Sequence, residues 1–151
     1  MSFFNSKLRY ALCASIDLAM QPFTIACQSR EIAHRQEIPG PYLDQILASL
    51  KSAGIVRSVR GAGGGYTLAR NPEKILVSEI VQALMRGDRL FAGSCDKTGH
   101  DLTGTSSLSV VREFEEQIET MLTKNLESVT LADLVGKKQT QDDVMSLMPG
   151  F

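Results

Sequence analysis

Three arginines lie around a glycine-rich stretch near the middle of the chain. Arg57 and Arg60 come just before the glycines, and Arg70 follows them at the far end. Cationic side chains beside glycine-rich backbone suit a probe that lies along the groove of a nucleic acid. The alternative is a cationic surface segment without a ligand. These residues alone do not decide between the two interpretations, so the elements that position them have to be considered.

Two short runs of alternating apolar residues flank the glycines, Ile55–Val59 and Tyr66–Ala69. β-Branched and aromatic residues favour strands, and glycines reach the positive-φ backbone conformations that a tight reversal needs. The segment therefore predicts a β-hairpin with Arg60 at its tip.

Cysteine and histidine are the other residues that could carry chemistry, and the chain has three and two of them. An odd number of cysteines without a secretory signal argues for a reducing, cytoplasmic location and against a disulfide framework. No Ser/His/Asp arrangement is suggested, and Gly61–Gly65 lacks the Lys-Ser/Thr that follows a phosphate-binding loop. We therefore expect a protein that is not an enzyme.

Charge divides the chain into two unlike parts. Residues 1–70 hold eight Lys/Arg against four Asp/Glu, a net of +4, and residues 71–151 hold eight against thirteen, a net of −5. The first part could approach an anionic polymer while the second has another task. At 151 residues and 43% apolar content, one domain with an extension is expected, and no apolar run is long enough for a membrane span.

Apolar periodicity predicts three helices before the hairpin, over Lys7–Met20, Ser29–Gln36 and Tyr42–Ser52. Ser29 is expected as the N-cap of the second helix, and Pro41 fits the first turn of the third, where its missing N–H costs nothing. Two short helices joined by a tight turn and followed by a hairpin form a winged helix-turn-helix. The predicted fold class is mainly α, with a small β-hairpin and a long C-terminal dimerisation helix.

The third helix is expected to read DNA with its outer face, because Leu43, Ile46, Leu47 and Leu50 occupy the inner one. Tyr42 and Gln45 would reach base edges in the major groove, and Asp44 could accept a hydrogen bond from a cytosine amino group. Lys7, Arg9, Arg30, Arg35 and Lys51 are expected on phosphates, and Arg60 in the minor groove. The predicted DNA-binding residues are Lys7, Ser29, Pro41, Tyr42, Asp44, Gln45, Lys51, Arg57, Ser58, Arg60, Gly61, Gly63 and Tyr66.

Beyond the hairpin, a short helix is predicted over Glu79–Met85 with Ser78 as its cap, followed by a long polar loop. A helix over Ser107–Leu126 carries an apolar seam and an acidic opposite side, which is typical of a dimer interface. Packing back on its own domain is the alternative. A last helix, Leu131–Val135, capped by Thr130 and ended by Gly136, is expected to precede a loose tail. The seam residues are Val111, Phe114, Ile118 and Met121.

These features divide the chain into four predicted parts. They are a winged helix-turn-helix over residues 1–86, a sensory loop over 87–107, the dimerisation helix and C-terminal cap over 108–136, and a flexible tail over 137–151.

Several sequence motifs resemble those of one bacterial family. They are Arg9-Tyr10-Ala11-Leu12, Glu31-Ile32-Ala33, Tyr42-Leu43, Gln45-Ile46-Leu47, Ala53–Gly61, Gly63–Tyr66 and Thr130–Leu134. Over roughly residues 1–136 the chain resembles the Rrf2 (Rrf-two) family of winged-helix transcription regulators. The resemblance implies a homodimeric repressor whose long helices cross, with a near-palindromic operator read by the Tyr42 helix and the Arg60 wing. The alternative is a winged helix that binds protein partners.

The signal is where the chain departs from the pattern of that family. Many members hold an iron–sulfur cluster with three closely spaced cysteines before the dimer helix, whereas the matching loop here contains only Cys95. A conventional three-cysteine site is therefore excluded. Cys95 and His100, with Cys13 from the first helix of a partner subunit, could still hold an iron–sulfur cluster or zinc. Direct thiol chemistry at Cys95, a small-molecule effector and a partner protein are the alternatives.

Overall fold

The computed structural model describes residues 4–85, 106–148 and 150 of the chain. The described part is mainly helical, with one two-stranded antiparallel sheet, as predicted. In chain order the elements are α1 (Ser6–Ala19), α2 (Ser29–Gln36), α3 (Gly40–Ser52), β1 (Val56–Val59), β2 (Gly65–Leu68), a 3-10 turn (Pro72–Lys74), α4 (Val77–Leu84), α5 (Ser106–Glu127) and α6 (Leu131–Ser146).

The main core lies between α1, α3, the hairpin and α4. The four apolar residues predicted for the inner face of α3 are all fully buried, which confirms the periodicity argument. Helix α1 contributes small residues such as Ala11 and Ala14, so that the neighbouring helices approach it closely. From the far end of the chain, the first residue of α6, Leu131, is also buried in this core. Residues 4–85 and the start of α6 therefore share one hydrophobic centre.

The hairpin is tied to the segment before α2. Strands β1 and β2 pair with Val56 opposite Leu68 and Val59 opposite Gly65. Cys27 adds an isolated bridge, because its N–H donates to Tyr66 O at 2.8 Å and its carbonyl accepts from Tyr66 N at 2.7 Å. A Cβ on Gly65 would collide with the carbonyl of Cys27, and Gly65 has a φ of +150°. Glycine is therefore required where the wing meets this segment.

Two of the predicted N-caps are wrong by one or two residues. Helix α2 has Gln28 at its N-cap and begins at Ser29, while α4 begins at Val77 after Leu76. In both helices a glutamate in the first turn accepts a hydrogen bond from the N-cap N–H, and this satisfies a donor that the helix leaves unpaired. Thr130 is the N-cap of α6, as predicted.

The predicted end of the last helix is also wrong. Helix α6 passes through Gly136 and continues to Ser146, in a segment expected to be a loose tail. Gly136 sits inside the helix with open space around its Cα, and the Oγ1 of Thr140 donates to its carbonyl. An exposed glycine weakens a helix by only about 1 kcal/mol, so it does not have to end one.

Helix α5 is 22 residues long and contains no buried residue. Its C-terminal end is attached to the domain through Leu126, which packs beside Leu8, Val77 and Val81 in a second apolar cluster. The alternative of packing back on the domain therefore applies to this end of the helix. Across the described residues, we find no helix that has both the length and the apolar character to cross a membrane.

Candidate nucleic-acid interface

The outer face of α3 carries exposed polar residues. Because the inner face is fully buried, Asp44 and Gln45 are exposed on the other side, as predicted. Tyr42 is half-buried in the first turn of the helix. Its ring meets that of Tyr10 on α1 edge-to-face, with centroids 5.6 Å apart and planes at 88°. An edge-to-face contact of this kind restricts the ring. Tyr42, one of the residues predicted to contact bases, is therefore oriented by Tyr10.

The wing presents its polar residues to solvent. Arg57 and Ser58 on β1, Arg60 after it, and Gly61 and Gly63 in the turn are all exposed. Tyr66 differs from them, because it is half-buried against the core. The wing thus combines an anchored base with an exposed cationic tip.

Arg35 was expected to contact phosphate, and the structure gives it a protein partner instead. Its Nε donates to Asp17 Oδ1 at 3.0 Å and its Nη2 donates to Asp17 Oδ2 at 2.7 Å. The hydrogen bond to Asp17 raises the pKa of Arg35 above its ordinary value; burial opposes this rise, and the charge of Asp17 and contact with Cys27 add to it. Arg35, whose side chain is 37% exposed, is therefore engaged in an ion pair within the domain.

Arg70, at the far end of the hairpin, is also engaged within the chain. Its guanidinium donates to Glu79 Oε1 at 2.8 Å and to the carbonyl of Lys74 at 3.1 Å. Burial opposes ionisation of Glu79, but the N–H of Leu76 and the charge and hydrogen bond of Arg70 outweigh it and lower the pKa of Glu79 below 4.5. Arg70 thus fastens the end of the wing to the start of α4.

A second group of cations has no acidic partner within the described residues. Arg30, Lys51, Arg57 and Arg60 are exposed and form no ion pair in that part of the chain. They belong to α2, α3 and the wing, the three elements expected to face DNA. Of the other predicted contacts, Lys7 and Ser29 are half-buried and Pro41 is exposed.

The predicted metal ligands are only partly described. Cys13 is exposed on α1, whereas Cys27 is buried. Cys95 and His100 lie outside the described residues. Within residues 4–85, 106–148 and 150, no three His, Cys, Asp or Glu side chains are grouped as a metal site would require.

The predicted seam of α5 is largely open to solvent. Phe114 and Met121 are 61% and 62% exposed, Val111 is 50% exposed, and Ile118 is half-buried. Val110, which the sequence analysis did not include, is exposed to 64% beside them. Exposed apolar side chains repeated along one helix are typical of an interaction surface.

The side chains of α1 that contact the helix-turn-helix were not predicted from the sequence. Tyr10 contacts Tyr42, while Asp17 accepts hydrogen bonds from both Arg35 and Gln36. The one available signal was Asp17 itself, a carboxylate within the apolar stripe of α1, where a charged residue requires a partner.

Comparison with known proteins gives a consistent result. The family model Rrf2, described as an iron-dependent transcriptional regulator, matches residues 4–137. A candidate HTH-type transcriptional regulator of Synechocystis is 39% identical over 132 residues, covering 86% of this chain and 85% of its own. Two solved structures are also similar. IscR of T. potens has a TM-score of 0.65 at 32% identity, with 98% of this chain and 93% of that one covered. CymR (YrzC), the global cysteine regulator of B. subtilis, has a TM-score of 0.70 at 28% identity, with 91% and 98% covered.

Proposed function

Because this chain belongs to the Rrf2 family of HTH-type transcriptional regulators, we propose that it is a homodimeric repressor that reads a near-palindromic operator. The observation that carries the proposal is the outer side of the helix-turn-helix. There an exposed polar face on α3 lies in the same domain as a cationic wing in which Arg57 and Arg60 are exposed and have no acidic partner among the described residues.

The two elements would read different parts of the duplex. Gln45 and Tyr42 on α3 would face base edges in the major groove, with Asp44 accepting from a cytosine amino group. Arg60 at the wing tip would enter the minor groove, and Arg30, Lys51 and Arg57 would contact phosphates. The exposure of Gln45, Asp44 and the four cations, and the absence of ion pairs to these cations among the described residues, support this assignment.

Dimerisation through α5 would bring together two winged helix-turn-helix domains. The apolar seam of α5 is exposed along Val110, Val111, Phe114 and Met121, which is the part of the helix that its own domain leaves uncovered. A two-fold axis through this seam would present two α3 helices to successive major grooves, about 34 Å apart.

We propose that redox, metal or iron–sulfur status controls DNA binding. A cluster held by three closely spaced thiolates does not fit this chain, which has three cysteines in all, one of them buried and paired through its backbone with the wing. The mixed set of Cys13, Cys95 and His100 stays a prediction, because two of its members lie outside the described residues.

Selection of duplexes from a randomised library by the full-length protein tests the DNA-reading proposal. We expect enrichment of a near-palindromic site, and specific binding that weakens about a thousandfold as salt rises from about 50 to about 200 mM, for six or more phosphate contacts. Enrichment of no sequence, with binding that hardly responds to salt, would overturn it and favour a protein partner instead.

A further inference from the structure

Asp17 is a buried carboxylate with an unusually complete set of partners. It is 4% exposed, and besides the two bonds from Arg35 its Oδ1 accepts one from Gln36 Nε2 at 2.9 Å. It lies two residues before the end of α1, where the helix dipole by itself disfavours a negative charge. Both of its partners come from the last turn of α2. The three bonds therefore join the end of α1 to the end of α2.

Helix α2 buries little apolar surface, although Ala33 also packs against the core. It is eight residues long, and Ile32 is its one buried residue. Directly after the Asp17 partners, Glu37 adopts a left-handed conformation with φ +54°, and Ile38 donates its N–H to the carbonyl of Ala33. Helix α3 begins three residues later, at Gly40. With so short a connection, the place where α2 ends determines where α3 starts.

A second contact between α1 and the reading helix lies two turns away. Tyr10, which contacts Tyr42 in the first turn of α3, precedes Asp17 by seven residues. Seven residues bring a helix back to within about 20° of the same side, after a rise of about 10 Å. Tyr10 and Asp17 thus face the helix-turn-helix from one side of α1, with Tyr10 on α3 and Asp17 on α2.

We propose that Asp17 is a positioning residue for DNA recognition: through Arg35 and Gln36 it fixes α2, and hence the approach of α3 to the major groove. This inference rests on the proposed function. Arg35 then contributes to specificity without contacting DNA, because its Nε and Nη2 both donate to the carboxylate of Asp17. Loss of the contact would disturb sequence reading, which depends on precise placement, more than it disturbs phosphate binding, because the long cationic side chains stay exposed and the wing is unaltered.

The experiment measures affinities of the full-length protein for two duplexes, one selected by the unaltered protein and one scrambled, well below the melting temperature. Asp17→Asn and Arg35→Met should each weaken binding to the selected duplex by about tenfold or more, and change binding to the scrambled one by less than about twofold. The double variant should be no worse than either single one. Arg35→Lys, which keeps the charge but not the fork, should recover part of the loss.

Asp142→Asn is the matched control, because it makes the same change in an exposed ion pair with Lys138 on α6. It should leave both affinities unaltered. Equal losses on both duplexes for Arg35→Met would overturn the inference by making Arg35 a phosphate contact. Unchanged selectivity in folded Asp17→Asn, Arg35→Met or Gln36→Ala would overturn it by making the contact purely structural. If the unaltered protein itself selects no duplex, the proposed function fails first, and the inference fails with it.

Discussion

Helices α3 and α5 have similar apolar patterns and opposite surroundings. In α3, four apolar residues within 13 are fully buried, whereas α5 has an apolar residue at nearly every turn and buries none of its 22 residues. Amphipathic periodicity predicts that the apolar face of a helix is covered, but it does not predict whether the same chain or another molecule covers it. For α3 the cover is the rest of the domain. For α5, apart from the end near Leu126, the described residues leave the apolar seam exposed, and we propose that a second copy covers it.

This difference separates two kinds of stability. The winged helix-turn-helix of residues 4–85 is stabilised by a core formed within the chain, so its folding should not depend on protein concentration. If a second copy covers the α5 seam, as proposed, the contribution of the seam to stability should rise with protein concentration. Substitutions in the two helices should therefore affect different measurements.

Phe114→Asp should have the largest effect and should act on assembly. If α5 forms a two-fold interface, each dimer would bury two unpaired carboxylates in an apolar seam, and the desolvation of each would cost several kcal/mol. The dimer should then dissociate at micromolar concentration in sedimentation or light-scattering measurements. Because Phe114 is exposed within its own chain, the helical content of the monomer should be unaltered.

Glu116→Gln is the control for that change, because Glu116 lies two residues on from Phe114 and so on nearly the opposite side of α5. It should leave the molecular weight of the protein as it was. A Phe114→Asp protein that remains dimeric would place the interface elsewhere and would remove the contrast between the two helices.

Leu47→Ala should have the next largest effect and should act on folding. Leu47 is fully buried on the inner face of α3, and removing a buried leucine side chain costs about 2–5 kcal/mol of unfolding free energy. Chemical denaturation should show this loss at every protein concentration. A cost below about 1 kcal/mol would mean that the core of the winged helix-turn-helix is less complete than its burial indicates.

The periodic parts of the fold were predictable from the sequence because each depends on near neighbours along the chain. Helices α1 to α3, the hairpin and the seam of α5 follow from apolar spacing and from glycine and proline. The contact of Asp17 with Arg35 spans 18 residues, and the bridge between Cys27 and Tyr66 spans 39. No local pattern encodes such pairs. The extension of α6 beyond Gly136 was not predicted, because glycine is common just after the end of a helix.

The same limit applies to the candidate site. Exposure of Gln45 and Asp44 follows directly from the buried face of α3, and it was predicted correctly. The separation of the arginines into those paired with a carboxylate and those without an ion pair among the described residues was not predicted, because Arg35 and Arg70 look no different from Arg57 and Arg60 in sequence. Only the fold brings a carboxylate to each of the first two.

Arg60→Ala should affect DNA binding alone and should leave both folding and assembly unaltered. The side chain is exposed and has no ion pair in the described part, so the melting temperature and the dimer should not change. Specific binding should fall by about 1–3 kcal/mol, with selectivity lost at one position in each half-site. Equal affinity for all duplexes before and after the change would remove this role from Arg60.

Glu79→Gln should have the smallest effect, and it should depend on pH. Glu79 and Arg70 are each about one-third exposed, so solvent screens the pair and its contribution to stability should be only about 0.2–1 kcal/mol. The pKa of Glu79 is lower in the folded protein than its ordinary 4.5. Its stabilising effect should therefore be complete above that pH and should disappear as the pH falls through the folded value. Thermal unfolding across this range should show the variant and the unaltered protein converging in acid. A gap that is constant or widens at low pH would mean that ionised Glu79 gains nothing from Arg70 and the Leu76 N–H, and that the charge of Glu79 does not help to hold the wing to α4.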